Sequence, residues 1–216
     1  MDEDLSIINA NTRNEKIRNF FLNNKKKIIL SIVILTLIVI GVYVNDKYTT
    51  NKKKEISDTY NSAIIEYSKN SKEITANKLI EIVNKKDSTY SPLSLYFIID
   101  NDLVSDQTLV YSLFQTIIND TSLEKEIKNL VIYKKALFYV EKINDNENDL
   151  LEILNPLINS ESVWKSQALY LIAEYFYSNN QKQKSKEFFE KIINLDDANQ
   201  DIIKEVQKRL NRDFSE

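Results

Sequence analysis

Three regimes of hydrophobic patterning divide this chain. Residues 1–27 are mixed and mostly polar. From residue 28 the sequence IILSIVILTLIVIGVYV then runs without a charge until Asp46, and apolar residues return after it only at helical spacing. The uncharged run approaches the ~20 residues that a helix needs to cross ~30 Å of hydrocarbon. The alternative is a buried core helix, but a helix apolar on every side and flanked by Lys25, Lys26 and Lys27 before it and by Asp46 and Lys47 after it suits a bilayer better. No small-x-small cleavage site follows near residues 42–45, so the segment reads as a retained anchor and not a cleaved leader. Arg13, Lys16, Arg18 and Lys25 to Lys27 precede it, while Lys47 and Lys52 to Lys54 follow it. That bias points to a cytoplasmic N-terminus. Just upstream, NEKIRNFFLNN places Ile17, Phe20 and Phe21 on one helical face. It reads equally as a segment resting at the membrane interface or as a frayed polar tail.

Beyond the anchor the apolar positions mark helices, and the marks recur. Ala168, Leu171, Ile172, Tyr175 and Phe176 fall at i, i+3, i+4, i+7 and i+8, and Ser185, Phe188, Phe189, Ile192 and Ile193 repeat that spacing after the polar connection SNNQKQK. These are two amphipathic helices folded back on each other. About 35 residues upstream, the spacing of paired-helix repeats, Ile132, Ala136, Tyr139 and Val140 match the first helix and Leu150, Ile153, Leu154, Leu157 and Ile158 the second. An earlier pair joins Leu95, Ile98, Ile99 and Leu103 to Val110, Leu113, Phe114, Ile117 and Ile118. Ala76, Leu79, Ile80 and Val83 mark a helix partnered by Ile56, Tyr60, Ile64 and Tyr67, and Ile202, Ile203, Val206 and Leu210 form a closing helix over the last apolar face. Ser91-Pro92 reads as a helix start with proline at the first position, and Thr121-x-x-Glu124 as a capping box. Pro156 falls within an apolar stripe and predicts a kinked or shortened helix.

The expected organisation is a cytoplasmic tail over 1–27, a transmembrane helix over 28–44, a linker or continuing helix over 45–54, and a helical repeat domain over 55–216. Composition narrows what that domain does. A single Gly and two Pro remove glycine-rich phosphate cradles, and the absence of Cys and His removes thiolate nucleophiles, the commonest general base and the commonest transition-metal ligand. No enzyme activity, cofactor or metal is expected. A net charge of −3 lacks the basic surface that binding many phosphates requires, so no nucleic acid is expected either. The acidic run Asp145, Asn146, Glu147, Asn148, Asp149 fails as a calcium loop, because Leu150 stands where the turn glycine belongs and Pro156 where the bidentate Glu belongs. It reads as a solvated loop.

The stretch ALYLIAEYFYSNNQKQKSKEFFEKIINLDD, residues 168–197, resembles one tetratricopeptide repeat. Leu169 takes the consensus Trp position, Ile172 the Leu, Ala173 and Ser185 the small positions, and Phe176 and Phe189 the aromatic ones. It departs from the pattern at Asn180, where that family has glycine, and at Asp197, where it has proline. The whole layout, from the acidic start MDED through a basic aromatic segment and one apolar helix to about four degenerate repeats, is similar to the YfgM-like family of ancillary Sec translocon subunits. The resemblance implies an all-α fold, an antiparallel helix-pair solenoid behind one N-terminal transmembrane helix. It further implies a single-pass protein of a bacterial inner membrane, with a cytoplasmic N-terminus and a periplasmic repeat domain. Implied partners are translocon subunits, periplasmic chaperones or client chains.

By the repeat comparison, Lys134, Phe138 and Glu141 in one repeat and Tyr170, Glu174 and Tyr177 in the next would line the concave face that holds partner proteins. Trp164, at a helix start, is expected to pack between repeats. The expected function is thus a membrane-anchored protein interaction adaptor. The alternative is an envelope-assembly or cell-division scaffold that associates with itself through its repeats as a homo-oligomer.

Overall fold

The computed structural model describes residues 2–67, 72–143 and 146–214, with side chains described from residue 13 onward. Asp145 and the acidic start of the chain lie outside the described side chains. Among the described residues the chain is all-helical, with no strand. Two units divide it, residues 1–55 and residues 56–216. Helix α1, Asp2–Tyr67, supplies all of the first unit and opens the second.

Within the first unit, residues 29–55 are exposed without exception. This segment is long and apolar enough to cross a membrane, and none of its most apolar window is buried inside the protein. Leaving a large aliphatic side chain in water instead of burying it costs about 1.5–3 kcal/mol. The two aliphatic hydroxyls of the apolar run do not stand open: Ser31 Oγ donates to the Lys27 carbonyl and Thr36 Oγ1 to the Ile32 carbonyl, both at 2.9 Å. Each thereby satisfies its donor within its own helix, as a medium without water demands. The structure is helical both at Ile17, Phe20 and Phe21 and across residues 45–54, so the helix continues there and no irregular linker intervenes.

In the second unit the apolar stripes of the sequence lie on the end of α1, on α2 Lys72–Asn84, α3 Tyr90–Asp100, α4 Gln107–Asp120, α5 Lys125–Phe138 and the turn after it, α6 Glu147–Ile158, α7 Lys165–Ser178, α8 Lys182–Ile193 and α9 Gln200–Asp213, except for Leu103, which follows α3 outside any helix. The chief partners of each are its neighbours along the chain. Three apolar cores lie in series. The first gathers Ile56 and Ala63 of α1 with Leu79, Leu95, Phe114 and Val131; the second gathers Ile132 and Ala136 with Leu154 and Ile172; the third gathers Leu169 and Phe189 with Val206. Helices α5 and α7 each belong to two cores, one on either side, so the cores are linked through shared elements.

Hydrogen bonds between more distant segments keep a regular interval. Tyr90 to Ser57, Lys86 to Asp120, Asn129 to Ser162, Gln181 to Glu147, Asn199 to Ser166 and Arg209 to Glu174 all join residues 33 to 35 positions apart. Lys125 to Glu161 spans 36 and Lys184 to Glu147 spans 37.

Several local expectations are corrected. α3 packs most closely on α2, not on α4, and it begins at Tyr90 instead of after Ser91. Asp87 Oδ1 accepts from the Thr89 and Tyr90 amides, while Ser91 Oγ donates to the Ile82 carbonyl of α2 at 2.9 Å. Thr121 and Glu124 form no capping box. Thr121 ends α4, Glu124 precedes α5, and neither helix end carries a side-chain cap there. The side-chain caps are Asp106, Asn146 and Asn199, each accepting from amides two or three residues on. Pro156 lies inside α6, on its exposed side and two residues before its end.

With no glycine in the second unit, three helix ends place other residues in the left-handed region: Lys86 at φ 56°, Asp102 at 45° and Asn180 at 59°. At Asn180 the Gln181 amide donates back to the Phe176 carbonyl and the Asn180 amide to that of Tyr177, a six-to-one and five-to-two pair that closes α7. α5 ends differently, in a π-helical turn, Tyr139–Ile143. Tyr139 Oη pins this turn, accepting from the Asn146 amide at 2.9 Å and donating toward the Asn146 carbonyl and Asp149.

Candidate functional site

Of the six side chains that the sequence assigns to a binding face, three stand together on α5 and its π-helical turn. Lys134, Leu137, Phe138 and Glu141 meet Tyr96, Ile99 and Asp100 of α3 around a pocket of about 150 Å³. The Lys134 ammonium lies 4.6 Å from the centre of the Tyr96 ring, a cation set over an electron-rich face. Phe138 forms the floor: it is buried and its ring meets that of Phe114 at 5.8 Å. Glu141 and Leu137 are exposed at the rim. The Tyr96 hydroxyl is buried without a hydrogen-bond partner among the described residues, and burial pushes its pKa well up. The phenol therefore stays a neutral donor.

The other three occupy the corresponding places on α7 but face a different neighbour. Glu174 receives a bidentate pair from Arg209 of α9, with Nε at 2.7 Å and Nη2 at 2.8 Å. The same guanidinium also pairs with Asp213 and lies 4.4 Å from the centre of the Tyr177 ring. Tyr177 in turn meets Phe214 at 5.7 Å, and Tyr170 meets Phe189 edge to face at 5.6 Å. Burial, reinforced by the carboxylates of Glu174 and Glu205, pushes the Tyr170 phenol up to about 12. The structure thus brings each triplet together but not the two triplets into one open surface: α9 lies against the second.

Trp164 stacks on Tyr133 of α5 at 5.7 Å and 22°, so it joins adjacent hairpins as a packing residue. Leu150 is buried in the second core, and Asp145 lies outside the described residues. Among the described residues no group of three His, Cys, Asp or Glu side chains is placed to hold a metal. Sequence reasoning missed Arg209, although it stands beside Val206 and Leu210 and Glu174 lies 35 residues before it. It also missed Lys135, buried beside the expected Lys134. No family model matches the chain, and neither a curated protein nor a solved structure matches it.

Proposed function

We propose that this protein is a membrane-anchored adaptor. The apolar run of α1 lies in the bilayer, and the helical unit binds other proteins through the face where α3 and α5 present Tyr96, Lys134, Leu137 and Glu141. The observation that carries this reading is the 33-to-37-residue interval of the hydrogen bonds between segments, the interval at which tetratricopeptide-like hairpins stack. Stacked hairpins of that kind present one face of every first helix on the same side, and such faces hold extended or helical partners. On this reading α9 is the terminal cover and α3 with α5 the open part of the face.

Exposed Leu137 between a cation and a carboxylate suits an interface that is apolar at its centre and charged at its rim. The architecture also favours the translocon-associated reading, with the N-terminus in the cytoplasm and the helical unit in the periplasm, its partners being translocon subunits, chaperones or client chains. A photocrosslinking residue at Leu137 in the full chain, expressed in membranes, should capture a defined set of membrane or periplasmic proteins. The double charge reversal Lys134→Glu with Glu141→Lys should weaken that capture while helicity by circular dichroism is kept. Capture unchanged by the reversal, or release of the full chain by alkaline carbonate, would overturn the proposal.

A further inference from the structure

A second groove lies between α4, α5 and α6, away from the pocket that α3 shares with α5. Its volume is about 280 Å³, and Lys135 of α5 forms its floor with Tyr111 and Gln115 of α4 on one wall and Asp149, Glu152 and Pro156 of α6 on the other. Lys135 is only 7% exposed. Arg209, the other deeply buried cation among the described residues, has carboxylates on both sides, but Lys135 has none within ion-pair distance. Its ammonium rests 4.3 Å from the centre of the Tyr111 ring. A ring face offsets only part of what an ammonium loses on leaving water.

The repeat pattern makes the choice of residue more pointed. Ile132, Lys135 and Ala136 on α5 correspond to Ala168, Leu171 and Ile172 on α7, and Leu171 packs against the second core. The chain places a charge where the next hairpin places leucine. Such a conflict between local chemistry and packing is expected where a residue serves something other than stability. Burial lowers the lysine's pKa, and the carboxylate of Glu152 opposes that shift.

We propose that this groove is a second protein-docking surface, whose occupant is a partner segment that seats a carboxylate side chain on Lys135 and sets an adjacent lysine or arginine against Asp149 and Glu152. The charges are layered for such a ligand, one cation at depth and two exposed carboxylates at the rim. A pair formed at the floor is screened far less than the repulsion from the solvated rim, so the deep attraction decides the sign for the incoming carboxylate. Gln115 adds an amide able to donate to it. This inference rests on the protein-binding reading but uses a face that crosslinking at Leu137 does not report.

The test is side-chain NMR of the full chain in detergent with isotope-labelled lysine, titrated with the blocked peptides acetyl-Lys-Glu-Lys-amide and acetyl-Lys-Gln-Lys-amide. The expected result is a saturable shift of the Lys135 signal, at least about tenfold weaker with the glutamine peptide. Lys135→Met assigns the signal by removing it, and the shift should be kept in Lys134→Met. A Lys135 signal unmoved at tens of millimolar peptide, or equal response to both peptides, overturns the proposal. Lys135→Met should also melt at a higher temperature than the parent, since methionine fills the same space without a buried charge. A lower melting temperature would make the lysine structural and likewise overturn it.

Discussion

Lys134, Phe138 and Glu141 on α5 and Tyr170, Glu174 and Tyr177 on α7 stand at matching positions one hairpin apart, yet their surroundings are opposite. The first three open onto a pocket shared with α3, and the last three are engaged by Arg209 and Phe214 at the end of the chain. Equivalent registers therefore do not make equivalent sites. The neighbouring helix decides whether a face stays open or is spent on the fold.

The sharpest probe of that contrast is Phe138→Ala, expected to cost about 3–5 kcal/mol because it empties the contact with Phe114 in the first core. Glu174→Ala, at the matching place on α7, should cost far less; urea unfolding followed by circular dichroism compares the two, and equal losses would break the contrast. Next in size is Arg209→Ala, expected to cost roughly 2 kcal/mol. This lies below the range for a fully buried pair because Glu174 remains about a third exposed. Amide exchange should then rise in α9 while α2 to α5 stay protected.

On the alkaline side the two regions should separate again. Tyr170 has its pKa raised in the folded state to about 12, above the value near 10 of an unfolded tyrosine. Its contribution to stability is thus complete below pH 10 and is lost as pH rises through 12. Tyr170→Phe should flatten that alkaline fall in stability and remove one late step from the phenolate absorbance titration. A smaller effect is expected at the helix ends. Asn180→Gly should stabilise by about 0.5 kcal/mol, since glycine adopts the left-handed conformation without steric cost. α5 closes through its π-helical turn and offers no such gain. Least of all, Lys134→Ala should move stability by no more than about 0.5 kcal/mol, its ring contact being at a half-open surface.

The helices themselves were legible because burial in this chain is written at a spacing of three and four, and the stripes from Ile56 to Leu210 lie on helices, with Leu103 alone falling past the end of its own. Helix ends were not. Asp106, Asn146 and Asn199 cap three helices, but asparagine and aspartate are so frequent here that no spacing singled them out. The turn at Tyr139 depends on a hydroxyl reaching the backbone at Asn146, a contact that periodicity cannot encode. The membership of the two candidate triplets was readable from the repeat register. Their exposure was not, because it depends on Arg209, 35 residues from Glu174. Lys135 stayed hidden for a simpler reason: a lysine inside a stripe reads as the stripe's edge, not its floor.

The three cores in series have a mechanical consequence. Because no described side chain belongs to both the third core and the first, a load drawn through α9 falls on the third core before the first, and Arg209 is the clasp that yields. Detachment would then proceed hairpin by hairpin, in several small steps of force and not one large one.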